Sequence, residues 1–508
     1  MPSPPSRAWT LLLAAGGGLL TDTAFPMRSW WPFAFLGIAL LALALRRDSA
    51  RWAFVVGTVW GLAFFSVHLW WANDAVGSVP WVALSVFEAC AVGLFGVAWA
   101  WIRRVPWIAA HTTAQTFAFA FAWTSIEQLR SQVPFGGFPW GKLAFSQVES
   151  PLLRLASIGG APVVSAVVAA LGFLLAVAWW RLRTLRIAAT AGAVVVTVGV
   201  VAACLAIPLD TRAENGTMRI GAVQGNVAEP GLGAFDNARE VTDNHARGTE
   251  ELAEAEGPGT LDVVVWPENA ADYDPRSDAA AGDAVERAAQ AAEAPILLGT
   301  QRFADDTRYN ESILWEPGVG ATQVYAKQRP APFAEYIPLR DLARRFSSAV
   351  DLVTVDMSAG TEVGVIDVPV DSGSIPVGPV ICFEVAYDDL VRDAVVAGAQ
   401  VLVVQTNNAS FGYTAESEQQ LAMTRFRAVE LGRTAVQIST VGVSGVATPN
   451  GVLRHETELF TPAQFAETVP LRTSLTPAAR LGDVPVITMA VLAAVAFVGG
   501  IATWRRRA

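Results

Sequence analysis

Apolar residues are concentrated at the two ends of this 508-residue chain, and polar residues fill one long central segment. The apolar parts cover residues 8–207 and 484–503. A membrane-spanning helix needs roughly 20 mostly apolar residues, and eight stretches approach that length. They are Trp9–Leu20, Trp31–Leu45, Trp52–Trp71, Trp81–Ile102, Ile108–Trp123, Pro162–Trp180, Ile187–Ile207 and Val484–Trp504. The first is expected to be retained, because no convincing small-residue cleavage site follows it.

The pattern therefore predicts three parts. A polytopic α-helical membrane domain occupies residues 1–209 with seven spans, a polar domain occupies 210–483, and residues 484–508 form an eighth span with a basic tail.

Arginines follow every second predicted span and are sparse in the alternate loops. The clusters are Arg46, Arg47 and Arg51; Arg103 and Arg104; Arg181, Arg183 and Arg186; and Arg505, Arg506 and Arg507. Lys and Arg favour cytoplasmic loops. The alternation thus predicts a multi-pass protein with a cytoplasmic N terminus and an extracytoplasmic polar domain.

Short β-branched runs alternate with amphipathic stretches in the polar domain, which is typical of a layered α/β fold. The predicted strands are Arg219–Gln224, Val263–Trp266, Ile296–Gly299, Glu311–Trp315, Gln323–Lys327, Val377–Phe383, Val401–Gln405, Ala435–Thr440 and Gly445–Thr448. The predicted helices are Asn237–Ala255, Asp278–Ala292, Tyr387–Ala397 and Glu418–Leu431. The net charge of −10 argues against a nucleic-acid partner.

Three candidate chemical groups stand where predicted strands meet loops. Glu268 follows the strand ending in Trp266, Lys327 ends another strand, and Cys382 is the lone cysteine of the polar domain. Taken singly, they could be a solvated carboxylate, a surface lysine and an inert buried thiol. Together they supply a general base, an ammonium that stabilises a thiolate and an oxyanion, and a nucleophile. The combination favours nucleophilic catalysis.

These motifs resemble the Glu-Lys-Cys triad of the nitrilase superfamily, with Glu268 in WPEN, Lys327 eight residues before Glu335 of PFAE, and Cys382 in ICFE. With the predicted spans, nearly the whole chain resembles the bacterial apolipoprotein N-acyltransferases. Further motifs that carry the resemblance are Gln224–Asn226, Gly137–Gly141, Ser146–Gln147, Asn407–Gly412 and Arg425–Gly432. The resemblance implies an extracytoplasmic αββα sandwich and a bacterial plasma-membrane location.

The resemblance also implies a two-step acyl transfer. A phospholipid, typically phosphatidylethanolamine in this family, would acylate Cys382, and a diacylated apolipoprotein would then accept the chain on its amine. Glu335 is expected to orient Lys327 and Glu268, and Glu384 to support the cysteine turn. Phe383 supplies the backbone N–H after the nucleophile. No cofactor or metal is expected.

Candidate lid or substrate-lining residues are Phe138, Trp140, Asn408, Ser410 and Phe411. For the aromatic ones, anchoring at the membrane interface is an equally good interpretation. Glu88 is a further candidate, because a carboxylate inside a predicted span is costly.

The chain departs from the family pattern at three positions. Ala334 replaces the glycine of PFGE and is expected to need a glycine-like conformation, Phe383 replaces a common Tyr, and Ser410 replaces a large aromatic residue. The Ala/Arg/Val-rich composition suggests an actinobacterial source, where relatives can work with a polyprenol-phosphate mannosyltransferase, which makes that enzyme a candidate partner.

Two other functions are compatible with the motifs. A membrane-anchored carbon-nitrogen hydrolase would use the same three groups with water as second nucleophile, and a non-catalytic scaffold would only bind lipoproteins. The membrane domain argues against the first, and the intact triad against the second.

Overall fold

The computed structural model describes residues 6–183, 185, 187–227, 238–304 and 306–505. Arg186, Arg506, Arg507 and Asn237, which belong to predicted basic loops and to a predicted helix start, lie outside the described residues. The chain forms two compact units. One comprises residues 1–73, 78–208 and 481–508, and the other residues 74–77 and 209–480.

The helices in chain order are α1 (Arg7–Asp22), α2 (Pro32–Ala44), α3 (Ala50–His68), α4 (Trp70–Val76), α5 (Ser78–Ile102), α6 (Pro106–Ala110), α7 (Thr112–Arg130), α8 (Ala156–Arg183), α9 (Ile187–Cys204), α10 (Ala238–Glu256), α11 (Ala279–Ala292), α12 (Arg340–Ala343), α13 (Asp388–Val396), α14 (Glu416–Leu431), α15 (Pro477–Leu481) and α16 (Val484–Arg505). Short 3₁₀ segments occur at Leu143–Gln147, Pro151–Leu155, Ser348–Leu352, Cys382–Ala386 and Ala409–Phe411.

Within the described residues, four helical segments are long and apolar enough to cross a membrane. They are Ala50–His68, Ser78–Ile102, Pro151–Arg183 and Val484–Arg505, and the shorter apolar helices Pro32–Ala44 and Thr190–Cys204 accompany them. The first unit is therefore the helical, membrane-type part of the chain. The number of spans, eight, stays a prediction.

The fifth predicted span is displaced. A short α6 ends at Ala110, and α7 runs seven residues beyond the predicted end at Trp123. The helix continues because its polar residues are satisfied inside the unit. Glu127 accepts hydrogen bonds from Trp123 Nε1 (3.2 Å) and from the backbone of Leu143 (2.9 Å). Arg130 forms a buried ion pair with Glu88 at 3.0 Å, so Glu88 has a structural partner.

Twelve strands build the second unit within its described residues. They are β1 (Thr217–Gln224), β2 (Val263–Val265), β3 (Ile296–Ala304), β4 (Thr307–Glu316), β5 (Gly320–Ala326), β6 (Ile366–Val370), β7 (Gly373–Ile381), β8 (Val401–Thr406), β9 (Thr434–Ser439), β10 (Gly445–Ala447), β11 (Leu453–Arg454) and β12 (Ala463–Pro470).

The strands form two six-stranded mixed sheets, ordered β12-β1-β2-β3-β4-β5 and β11-β10-β9-β8-β7-β6. β1, β2 and β3 are parallel, as are β7, β8 and β9, and the outer strands pair antiparallel. β5 is antiparallel to β4, which is antiparallel to β3. β5 therefore runs in the same direction as β2, and their carboxyl ends lie at the same sheet edge.

The core lies between the two sheets and continues on their outer faces. Val263 and Val265 of β2 pack into the inter-sheet core, whereas Val264 packs into the outer cluster with Ala284 and Ala288 of α11. This alternation follows from the two-residue period of a strand. With α10 and α11 on one sheet and α13 and α14 on the other, the predicted αββα sandwich is confirmed.

Three strands were not predicted, namely β6, β11 and β12. All three lie at the outer edges of the sheets. Edge strands bury one face at most, so their sequences lack the continuous apolar run of the central strands. The strand before Cys382 also differs, because it begins at Gly373 and ends at Ile381, one residue before the cysteine.

Candidate active site

Glu268, Lys327 and Cys382 each follow the carboxyl end of a strand. Glu268 lies three residues after β2, Lys327 directly after β5, and Cys382 directly after β7. Glu268 and Lys327 are buried, with relative exposures of 5% and 1%. Cys382 is partly buried against the inter-sheet core. The strand ends of both sheets therefore supply the three predicted groups to one site.

The turn that carries Glu268 packs directly against Gly299 of β3. The Gly299 amide donates to the Pro267 carbonyl at 3.1 Å. A Cβ atom at position 299 would lie 2.6 Å from Glu268 Cα and 2.6 Å from the Pro267 oxygen. Only glycine lets the two backbones approach so closely, so Gly299 fixes where the carboxylate stands.

Three donors hold the Glu268 carboxylate. Asn310 Nδ2 donates to Oε1 at 2.6 Å, Lys327 Nζ lies 3.3 Å from the same oxygen, and the backbone N–H of Asn407 donates to Oε2 at 3.0 Å. The carboxylate is thus oriented from β4, β5 and β8. An oriented carboxylate beside a nucleophile is what a general base requires.

Lys327 is an ammonium shared by two carboxylates. Its Nζ lies 2.7 Å from Glu335 Oε1 as well as 3.3 Å from Glu268. Burial alone would lower the pKa of Lys327, but the charges of Glu335 and Glu268 raise it well above its ordinary value. Lys327 therefore stays protonated throughout the physiological range.

Glu335 is anchored by its own loop. Its Oε2 accepts the backbone N–H of Ala331 at 2.6 Å. The residue of this loop with a left-handed backbone is Phe333, at φ 65°, and not Ala334. The expectation that Ala334 needs a glycine-like conformation is wrong, because the turn places the strained position one residue earlier.

Cys382 begins a sharp turn rather than ending a strand. It has φ 52° and opens the 3₁₀ segment Cys382–Ala386. A positive φ at a non-glycine residue costs energy and is concentrated at functional sites. Its sulfur lies 3.4 Å from Thr406 Oγ1. Because Asn407 binds Glu268, the last residue of β8 and the residue after it connect Cys382 to the Glu268 carboxylate.

Glu384 supports this turn from within the protein. Its carboxylate accepts the backbone N–H groups of Ile381 (2.9 Å) and Gln328 (2.7 Å) and the Tyr325 hydroxyl (3.0 Å). It thereby ties the residue before the cysteine to the residue after Lys327. Burial raises the pKa of Glu384. The carboxylate acts on Cys382 through the backbone.

The thiol is neutral at rest. Burial raises the pKa of Cys382, the Glu268 carboxylate raises it further, and Lys327 only partly offsets these effects. Lys327 is engaged with two carboxylates, so the proton must leave the sulfur during attack.

Several supporting residues predicted from sequence belong to the same unit. Phe383 is buried and its ring meets Tyr387 edge-on at 5.6 Å. Asn408 is fully buried, while Ser410 and Phe411 are half-buried in the short 3₁₀ segment that follows it. Their assignment to a lid or substrate wall stays a prediction.

Phe138 and Trp140 belong to the other unit. Trp140 is buried there, 5.4 Å from the Trp71 ring. Arg130 Nη1 donates to the carbonyl oxygens of Phe138 (3.0 Å) and Trp140 (2.8 Å). The loop is therefore anchored by the same guanidinium that pairs with Glu88, and its role as a lid stays a prediction.

Sequence reasoning missed several polar residues of the site. Asn310 and Asp272 adjoin Glu268, and Thr406, Glu416 and Gln420 lie on the side of the sulfur. Burial and the charge of Glu268 raise the pKa of Asp272 to about 7. Thr406 ends an apolar strand, and Glu416 and Gln420 lie on a helix that is buried along most of its length. Asn310 lies inside β4 and Asp272 in a loop, and neither has a comparable signal in the sequence.

Two family models match the chain. The N-terminal domain of apolipoprotein N-acyltransferase matches residues 17–174, and the carbon-nitrogen hydrolase domain matches residues 219–463. The two-sheet fold of the second unit is thus that of a carbon-nitrogen hydrolase domain of the nitrilase class, which the chain carries after a helical unit.

Curated relatives match almost the whole chain. An apolipoprotein N-acyltransferase of Mycolicibacterium smegmatis is 38% identical, with 96% of this chain and 84% of the relative covered. Its Pseudomonas aeruginosa counterpart is 32% identical, covering 92% and 91%. The chain belongs to the apolipoprotein N-acyltransferase family. Among solved structures, an amidase from Nesterenkonia sp. is 18% identical, covers 52% of this chain and 94% of its own, and has a TM-score of 0.37.

Proposed function

We propose that this protein transfers an acyl chain from a membrane phospholipid to the N-terminal amine of a diacylated lipoprotein, through a thioester on Cys382. The observation that carries the proposal is the meeting of Glu268, Lys327 and Cys382 in a chain with membrane-length helices. The protein is an acyltransferase of lipoprotein biosynthesis and a membrane protein. Its donor, its topology and the roles of its residues are part of the proposal.

In the first half-reaction, Glu268 takes the proton from the Cys382 thiol as the sulfur attacks the ester carbonyl. The carbon–sulfur bond forms, and the oxyanion is held by Lys327 and the backbone N–H of Phe383. The intermediate collapses by breaking the carbon–oxygen bond. Glu268 returns its proton to the leaving lysophospholipid oxygen, so the carboxylate is regenerated.

In the second half-reaction, the neutral α-amine of the lipoprotein attacks the thioester. Glu268 accepts a proton from the nitrogen, the carbon–nitrogen bond forms, and the carbon–sulfur bond breaks. The departing sulfur takes the proton back and Cys382 is again a thiol. The sequence of bonds needs no co-reactant beyond the two substrates, and Glu335 keeps Lys327 in place throughout.

The proposed membrane orientation rests on the arginine-rich loops of the helical unit. Arg46 stacks 3.2 Å from the Trp180 ring, and Arg103 donates to the Leu45 carbonyl at 2.7 Å. Arg104 pairs with Asp48 at 2.9 Å. The loops after α2 and α5 and the end of α8 therefore share one end of the helical unit, which supports a single cytoplasmic end. We place the nitrilase-like unit on the extracytoplasmic side of a multi-pass plasma-membrane protein.

Phosphatidylethanolamine is the proposed donor, as the family resemblance implies. The identity to the mycobacterial relative supports the actinobacterial interpretation and hence a polyprenol-phosphate mannosyltransferase as a candidate partner. Copurification of that enzyme with the tagged protein from a native membrane would test the association.

The function is tested by incubating purified full-length protein with phosphatidylethanolamine carrying a labelled acyl chain and with a diacylated lipopeptide. We expect label on the lipopeptide amine and none with Cys382→Ala. Release of labelled free fatty acid in place of labelled peptide would make the protein a hydrolase. Retention of transfer by Cys382→Ala would overturn the proposal.

A further inference from the structure

The Cys382 sulfur has a second polar neighbour that the proposed mechanism does not use. Gln420 Nε2, on α14, lies 3.6 Å from Sγ, and Thr406 Oγ1 lies 3.4 Å from it. Gln420 is fully buried. The effect of a buried amide on a nearby nucleophile depends on its orientation. The amide nitrogen donates a hydrogen bond to a developing anion, whereas the amide oxygen repels one.

The orientation of Gln420 is determined by its other contacts. Its Oε1 lies 2.8 Å from the Thr406 hydroxyl and 2.9 Å from Asn408 Nδ2, and both of these groups are donors. With the oxygen engaged on that side, the amide nitrogen faces the sulfur.

Asn408 is itself oriented by a buried carboxylate. Its Nδ2 also donates to Oε2 of Glu416, and its Oδ1 accepts from Ser439 Oγ at 2.8 Å. Glu416 is buried, with 2% exposure. A carboxyl oxygen accepts this hydrogen bond whether the group is ionised or protonated.

We propose that Glu416 is a positioning residue for the nucleophile, which acts through Asn408 to hold the Gln420 amide nitrogen against the Cys382 sulfur. This inference rests on the proposed function and adds two residues, Glu416 and Gln420, to the Glu-Lys-Cys site. The amide N–H stabilises negative charge as it develops on sulfur in attack and when the thioester is broken.

The charge of Glu416 gives the arrangement a pH dependence. Burial and the charge of Glu268 raise the pKa of Glu416 to about 8, against the opposing hydrogen bond from Asn408. The Glu268 charge acts on the pKa of Glu416, and the charges of Glu268, Glu416 and Lys327 act on the pKa of Cys382. Well below its pKa of about 8, Glu416 is mostly protonated and neutral. Above it, the new negative charge disfavours an anion on sulfur and opposes thiol deprotonation.

Two measurements on the full-length protein in detergent test the inference. The first is the rate of acyl-enzyme formation from phosphatidylethanolamine. The second is alkylation of Cys382 by iodoacetamide from pH 6 to 9.5, followed on the Cys382 peptide, which requires no lipid substrate. The variants are Glu416→Leu, Glu416→Gln and Gln420→Leu, and Glu418→Gln on the same helix is the matched control.

Glu416→Leu and Gln420→Leu are expected to slow acyl-enzyme formation about tenfold, as for the loss of one oriented donor. Glu416→Gln should stay within about threefold at pH 7, because its amide oxygen still accepts from Asn408. In the wild type, the rise of alkylation rate with pH should flatten above pH 8. In Glu416→Gln it should continue without that break, and Glu418→Gln should behave as the wild type.

A wild-type acylation rate in Glu416→Leu, or an unchanged alkylation profile in Glu416→Gln, would overturn the inference. If Glu416→Leu does not fold, the Glu416→Gln profile decides. Absence of any lipid adduct on the wild type would refute the proposed function instead, and the alkylation profile would still test the role of Glu416.

Discussion

The Lys327 ammonium lies 2.7 Å from the Glu335 carboxylate, closer than the 3.3 Å that separates it from the proposed base Glu268. Glu335 is therefore the principal partner of the buried cation. It keeps Lys327 protonated and restrains its side chain, while Glu268 remains oriented toward the nucleophile by Asn310 and Asn407.

Replacing Glu335 by Gln should shift the alkaline limb of acyl transfer to lower pH. The Glu335 charge is the largest influence that raises the pKa of Lys327 against burial. Without it that pKa falls, and the ammonium is lost at a lower pH. The measurement is the pH profile of kcat/KM, with the exposed Glu362→Gln as control. An alkaline limb that does not move would show that Glu335 does not set the charge of Lys327.

Gly299→Ala should impair acyl transfer more than it impairs stability. The added methyl group would overlap the backbone of Glu268, and relieving that overlap must displace the proposed base. Overpacking of this kind costs about 1–3 kcal/mol. Transfer rate and thermal midpoint should be compared with Gly192→Ala, where a Cβ meets open space. Full activity in Gly299→Ala would show that the position of Glu268 tolerates the shift.

Arg427→Lys should destabilise the turn that presents the nucleophile. The buried guanidinium of Arg427 donates to the carbonyl oxygens of Val385 (2.8 Å) and Ala386 (2.9 Å) and pairs with Asp388 and Glu430. Lysine has no planar fork to reproduce these contacts.

Breaking such a buried network costs about 3–5 kcal/mol, so the thermal midpoint of Arg427→Lys should fall by several degrees. Arg392→Lys, whose arginine forms a local pair with Asp393 on α13, is the control. Equal midpoints in the two variants would contradict this account of the turn.

Apolar periodicity and strand-end motifs predicted the layered α/β fold and the residues Glu268, Lys327 and Cys382. Central strands such as β8 are buried on both faces and therefore stand out as continuous apolar runs. The edge strands β6, β11 and β12 carry no such signal. Helix α7 ended later than predicted, since the ion pair between Glu88 and Arg130 is formed in space and not in sequence.

The remaining parts of the site depend on tertiary distance. Asn310, Gln420 and Glu416 come from β4 and α14, and no spacing along the chain relates them to Glu268 or Cys382. The protonation of Cys382 could not be predicted for the same reason. The sequence motif identifies the Lys327 ammonium, but only the structure shows that this ammonium forms ion pairs with both Glu335 and Glu268.

The most direct test of the central claim is the intact mass of the full-length protein after incubation with phosphatidylethanolamine alone. We expect the mass to rise by one acyl group located on Cys382, and the added mass to disappear when diacylated lipopeptide is supplied. Cys382→Ala should show no added mass while remaining folded. An unchanged wild-type mass, or an acyl group that maps to Cys90 or Cys204, would contradict the account.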